Sequence, residues 1–86
     1  MDLIDITKIC KVIGDTNRIE IVKMLMKSEM NATEMLSKLQ ISQPTLSHHM
    51  KLLTECQLVL SRRDKNQTIY CLSKDAVREM GNIFLS

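Results

Sequence analysis

Ring side chains are almost missing from this chain: one Tyr, one Phe and no Trp, an aromatic share of 2% against 44% hydrophobic residues overall. A core drawn from that composition must be aliphatic and methionine-rich, which favours helices packed through Leu, Ile and Met. Seven methionines, Met24, Met26, Met30 and Met35 among them, read more simply as filling for such a core than as a copper site. Glycine (two) and proline (one) are as sparse, so few long loops are expected. No run of about 18 apolar residues exists to span a membrane, and MDLIDITK places acids where a secretory leader would carry bases, so a cytoplasmic protein is expected. The cysteines (Cys10, Cys56, Cys71) are odd in number and widely spaced without a C-x-x-C, which argues against a disulfide framework and a zinc ribbon.

What is present is one domain, residues 1–86, at a length where folding buries only about 60% of the unfolded surface and a second subunit often supplies the rest. The net charge of +2 says little, but its distribution says more. From Met1 to Ser42, Lys8, Lys11, Arg18, Lys23, Lys27 and Lys38 balance Asp2, Asp5, Asp15, Glu20, Glu29 and Glu34; beyond Thr68, Lys74 and Arg78 balance Asp75 and Glu79. The excess lies in Gln43 to Gln67, where Lys51, Arg62, Arg63 and Lys65 face only Glu55 and Asp64. A local positive surface suits a phosphate-binding edge, although a solvated face would look the same.

Short helical patterns with capping signals follow one another. Leu3, Ile6, Ile9, Cys10 and Ile13 recur at three- and four-residue spacing, predicting a first helix that ends at Gly14-Asp15. Asp15 caps a second helix with the stripe Ile19, Val22, Leu25 and Met26. Asn31 followed by Glu34 makes a capping-box-like start for a short third helix, and Ser42 caps the fourth.

The fourth helix, in "ISQPTLSHHMKLL", raises the question of its paired histidines. With Leu46 inward and about 100° per residue, Met50 and Leu53 share the inner side and His49 lies on its flank. Pro44, His48, Lys51 and Glu55 point outward, Ser47 sits beside them, and Gln43 and Thr45 are exposed in the first turn. Ser47 and His48 diverge as neighbours on a helix, with no strained nucleophile elbow, so an enzyme is not expected. His48 and His49 diverge likewise and cannot chelate one ion, so no metal or other cofactor is expected. A short helix, a tight turn and a helix with a polar N-terminal half is instead the layout of a helix-turn-helix. Leu58 to Arg63 and Thr68 to Leu72 then read as two strands around Asp64-Lys65-Asn66-Gln67, a wing whose Arg62, Arg63 and Lys65 suit phosphates or a narrow minor groove. Ser73 caps a last helix with Ala76, Val77, Met80, Ile83 and Phe84 on one stripe. One small core cannot cover both this stripe and the first helix, so Leu3, Ile6, Ile9, Val77, Met80, Ile83 and Phe84 are expected to meet a second copy.

The fold expected is therefore mainly α with a small β-hairpin wing, a winged helix-turn-helix in the order helix-helix-helix-helix-strand-strand-helix. On "IGDTNRIEIVKML", "LSKLQISQPTLSHHMKLL" and "LVLSRRDKNQTIYCL", the chain resembles the ArsR/SmtB family of bacterial winged-helix repressors over essentially its whole length. The resemblance implies a homodimer on a partly palindromic operator, paired through its first and last helices and released by a chemical signal. It makes Gln43, Thr45, Ser47 and His48 the groove contacts, to which Ser42, Lys51, Arg62, Arg63 and Lys65 are added as DNA-binding residues.

Departures from the family pattern bear on the signal. Thr16 stands where the family usually has Pro, and Gln40 where the turn usually has Gly; a left-handed backbone at Gln40 would cost about 1 kcal/mol. The family's thiolate pair belongs near the start of the third helix, which here reads Asn31-Ala32-Thr33-Glu34-Met35, and the last helix has no histidine for the other common metal site. Cys10 is expected inside, while Cys56 and Cys71 could approach one another. A metal- or thiol-switched sensor using Cys10, Cys56 or Cys71 is the alternative within this class, and a winged-helix protein-interaction module the alternative outside it.

Overall fold

The computed structural model describes residues 5–85. Capping groups set its helix boundaries. The Asp5 carboxylate accepts from the Lys8 amide at the start of α1 (Ile6–Val12), and Asp15 accepts from the Asn17 and Arg18 amides at the start of α2 (Thr16–Lys27). Asn31 and Glu34 form a complete capping box at α3 (Ala32–Leu36): Asn31 Oδ1 accepts from Glu34 N at 2.8 Å, and Asn31 N donates to Glu34 Oε1 at 3.1 Å. Ser42 caps α4 (Gln43–Glu55), and the Ser73 hydroxyl accepts from Ala76 N at 3.1 Å to start α5 (Lys74–Leu85).

The strands form one antiparallel sheet in the order β1-β3-β2, from β1 (Met30–Asn31), β2 (Val59–Asp64) and β3 (Gln67–Leu72). The hairpin is tighter than its four-residue polar stretch suggests, because Asp64 pairs with Gln67 and leaves only Lys65 and Asn66 in the turn. Lys65 takes the left-handed φ of 59° that a two-residue turn demands. β1 is an addition to the sequence reading. Only two residues long, it shows no alternation, yet Met30 pairs with Tyr70 and Asn31 with Ile69.

The interior is aliphatic, as the composition requires: Ile9, Ile21, Met35, Leu46, Leu53, Leu58 and Val59 are fully enclosed. Each such side chain contributes about 1.5–3 kcal/mol. Several expectations change here. Ile9 is 0% exposed and belongs to this chain's own core, which removes it from a subunit interface, while Cys10, one position and about 100° further round α1, is exposed. In α2 the inward residues are Ile21 and Leu25, not the full stripe Ile19–Val22–Leu25–Met26; Met26 is 69% exposed. Ile19, Val22 and Met26 instead face α5 across an apolar cavity of about 170 Å³ that Ile13, Val77 and Met80 also line. Gln40 needs no left-handed backbone; that conformation falls on Gln57 (φ 66°), just past the C-cap of α4. Leu3 lies outside the described residues.

α5 is the loosest element. It buries only Ala76 fully and leaves Val77, Ile83, Phe84 and Leu85 exposed, Phe84 at 64%.

Candidate nucleic-acid interface

The N-terminal turn of α4 is built by Ser42. Its extended backbone (φ −77°, ψ 162°) lets Oγ accept from the Thr45 amide at 3.3 Å while donating to the Thr45 hydroxyl at 2.9 Å. Pro44 sits in the first turn, where its missing N–H would be unbonded anyway. Leu46, His49, Met50 and Leu53 turn inward at three- and four-residue spacing. That leaves Ser42, Gln43, Thr45, Ser47, His48 and Lys51 exposed, so every residue expected to touch DNA from this helix is on its outer side. Hydroxyls, an amide and an imidazole can bond base edges or phosphates, and the partial positive charge at a helix N-terminus favours an anion there.

β2 packs beside α4 and carries Arg62 and Arg63, with Lys65 in the turn that follows, all three exposed. They are not equivalent. Arg63 donates to the hydroxyl of its cross-strand neighbour Thr68 at 3.1 Å. Lys65 sits at the turn and makes no ion pair among the described residues. Arg62 is engaged: Nη1 and Nη2 donate to the two carboxylate oxygens of Glu29 at 2.7 and 2.6 Å. That bidentate contact holds the Glu29 carboxyl below its ordinary range and raises Arg62 above its own. Sequence reasoning missed Glu29, which lies 33 positions from Arg62 and belongs to no local pattern.

Behind the exposed face, His49 is 6% exposed and lies 3.1 Å from Arg18 Nη1, while Arg18 Nε donates to the carbonyl of Val12. One guanidinium thus joins α1, α2 and α4. Spacing alone puts His49 on the flank of the helix; packing buries it there, with Arg18 as its polar neighbour. The two imidazoles diverge, with centroids 6.1 Å apart and planes tilted by 52°. Among the described residues no cluster of three or more His, Cys, Asp or Glu could hold a metal ion, and no helix is long and apolar enough to cross a membrane. None of the cysteines is in a disulfide: Cys10 is exposed, Cys71 half-buried, and Cys56 buried with Sγ against the Leu53 carbonyl at 3.4 Å.

Residues 15–61 match the family described as "Bacterial regulatory protein, arsR family". The arsenical resistance operon repressor of Staphylococcus aureus is 42% identical over 69 residues, which cover 80% of this chain and 66% of that repressor. The transcriptional activator HlyU of Vibrio cholerae is 33% identical over 70 residues, 81% of this chain and 65% of that activator. This chain therefore spans about two thirds of the length of either relative. A solved structure of the Vibrio cholerae HlyU matches with a TM-score of 0.76 over 93% of this chain and 91% of that one, at 25% identity. A homodimeric winged helix-turn-helix DNA-binding domain from Mycobacterium bovis shares the fold with a TM-score of 0.79 over 93% of this chain and 75% of its own, at 18% identity. The chain belongs to the arsR family of bacterial regulatory proteins and is a winged helix-turn-helix DNA-binding transcriptional regulator.

Proposed function

We propose that this chain is a homodimeric repressor that binds a partly palindromic operator in the cytoplasm. The observation that carries the reading is the division of α4: its apolar stripe is enclosed, and its amide, hydroxyls and imidazole are exposed beside a cationic hairpin. In this reading Gln43, Thr45, Ser47 and His48 meet base edges, while Ser42, Lys51, Arg63 and Lys65 meet phosphates; Arg62 belongs to the same wing. Repression rather than activation follows the nearer likeness, to the staphylococcal repressor.

The homodimer rests on α5. Val77, Ile83 and Phe84 form an exposed apolar surface on a helix that its own domain covers poorly, and Ile6 and Met80 are half-buried. A symmetric dimer buries such a surface twice.

Fluorescence anisotropy with a random-sequence duplex between about 0.05 and 0.3 M salt tests the reading. Binding should weaken linearly on logarithmic axes, by about 0.9 in slope per phosphate contacted. A protein-interaction module would bind the duplex at no salt concentration, and that outcome removes the proposal.

A further inference from the structure

Glu29 occupies the connector between α2 and β1, where Ser28 is fully extended (φ −165°, ψ 156°). Its neighbour Met30 is locked to Tyr70 of β3, so the connector is fixed along one edge of the sheet. Arg62 stands on β2, at the other edge. Asn31, Ile69 and Arg62 lie in one cross-strand row, so the Arg62 side chain runs over the face of the sheet and reaches Glu29 across the central strand. Both carboxylate oxygens are taken, one by each Nη, and a bidentate contact of this kind fixes direction as well as distance.

A second bridge runs the same way. Asn31 Nδ2 donates to Gln67 Oε1 at 2.6 Å, tying the hairpin end to the residue whose Oδ1 caps α3. The hairpin is thus fastened at two points to the chain segment that leads into the helix-turn-helix. An exposed ion pair adds little to global stability, but two such fastenings restrict the angle of a two-stranded ribbon that has little core of its own.

We propose that Glu29 is a positioning residue for DNA binding: its carboxylate holds Arg62, which sets the wing against the helix-turn-helix and withholds one cation per subunit from the phosphates. The inference rests on the DNA-binding reading above and makes Arg62 a brace, with Arg63 and Lys65 as the wing's phosphate contacts. Glu29 stands where a phosphate would otherwise pair with that guanidinium. Releasing it frees a charge with no sequence preference and loosens the hairpin. Specificity falls even as general affinity rises.

The test uses the full chain and two readings: the salt slope of binding to a random-sequence duplex, and hydrogen exchange of the wing amides without DNA. Glu29→Gln is expected to steepen the slope by about 0.9 per subunit, as a newly freed Arg62 finds a phosphate, and to speed exchange in β2 and β3 while α4 is unchanged. Arg62→Gln is expected to leave the slope where it was. Exchanging the pair, Glu29→Arg with Arg62→Glu, should return both readings to those of the unaltered chain and shows that the single variants act through the contact and not through misfolding. A slope that drops by about 0.9 per subunit in Arg62→Gln and stays fixed in Glu29→Gln overturns the proposal and leaves the DNA-binding reading intact. Absence of any salt-dependent binding sinks that reading instead. In that case unchanged wing exchange in Glu29→Gln overturns the brace as well.

Discussion

Arg18 Nη1 and His49 Nδ1 lie 3.1 Å apart, and because a guanidinium can only donate, the imidazole is the acceptor. His49 is therefore neutral, with its proton on Nε2. Burial pushes its pKa below the ordinary 6.5, Asp15 pulls it back up, and Arg18 and His48 push it further down. Protonation would remove the acceptor and set an imidazolium against a guanidinium on the inner side of α4.

A pH dependence follows. A folded-state pKa below the unfolded value means that the unfolded chain takes up the proton first, so stability is complete above about pH 6.5 and is lost as pH falls through the depressed value. The Asp15 carboxyl, lowered chiefly by the Arg18 amide, and Glu29, lowered by Arg62, lose their contributions only as pH falls below 3.8 and 4.5. The window between about pH 6.5 and pH 5 thus belongs to His49. The melting temperature should fall across it in the unaltered chain and stay level in His49→Gln, whose amide oxygen can still accept from Arg18. Equal slopes in the two proteins would refute the neutral-acceptor role.

The two parts of the interface should fail differently. His48→Ala is expected to lose about 1–3 kcal/mol on the preferred sequence and nothing on random DNA, since a base contact discriminates and a phosphate contact does not. Arg63→Ala should weaken binding to every sequence alike and lower the salt slope by about 0.9 per subunit. Titrations on both duplexes separate the effects. Identical behaviour of the two variants would contradict the division.

Gln57 is held at φ 66° immediately after α4, its amide bonded to the Thr54 carbonyl at 3.1 Å. A residue with a Cβ is strained there by roughly 1 kcal/mol, and glycine is not. Gln57→Gly should raise stability by up to about 0.6 kcal/mol in denaturant titration, the relieved strain less the roughly 0.4–1 kcal/mol that glycine's flexibility costs through the unfolded chain. A lower midpoint would show that the Gln57 side chain contributes more than its backbone strain removes.

Phe84, 64% exposed on α5, tests the dimer. Phe84→Glu removes about 1.5–3 kcal/mol of burial per subunit, which counts twice in a symmetric pair and raises the dimer dissociation constant on the order of 100-fold or more. Sedimentation should then show a single chain at micromolar concentration with its helical circular dichroism intact. A variant that sediments as the unaltered dimer would move the interface elsewhere.

The parts of this fold that could be read from the sequence are those fixed over three or four residues. Asp15, Asn31, Ser42 and Ser73 cap their helices because the bonded amide is two or three positions away, and Leu46, Met50 and Leu53 mark the inner side of α4 by spacing alone. Where two apolar residues adjoin, spacing does not choose between them: Ile9 and Cys10 both fitted the stripe of α1, and packing took Ile9. Ile19 and Met26 misled in the same way on α2, because an apolar side chain left for α5 to cover looks like a core residue. Long-range polar contacts carried no local signal. The Arg62–Glu29 pair spans 33 positions and the Arg18–His49 bond 31, so no spacing rule along one helix or strand could reveal either.

Selection of bound sequences from random DNA tests most directly whether a paired recognition helix reads the groove. Enriched sites should show two related half-sites in inverted orientation, centred about 34 Å apart along the duplex, and His48→Ala should relax the preference within each half-site. Enrichment of single, unpaired half-sites, or no enrichment above the starting pool, would contradict a homodimeric sequence-reading regulator.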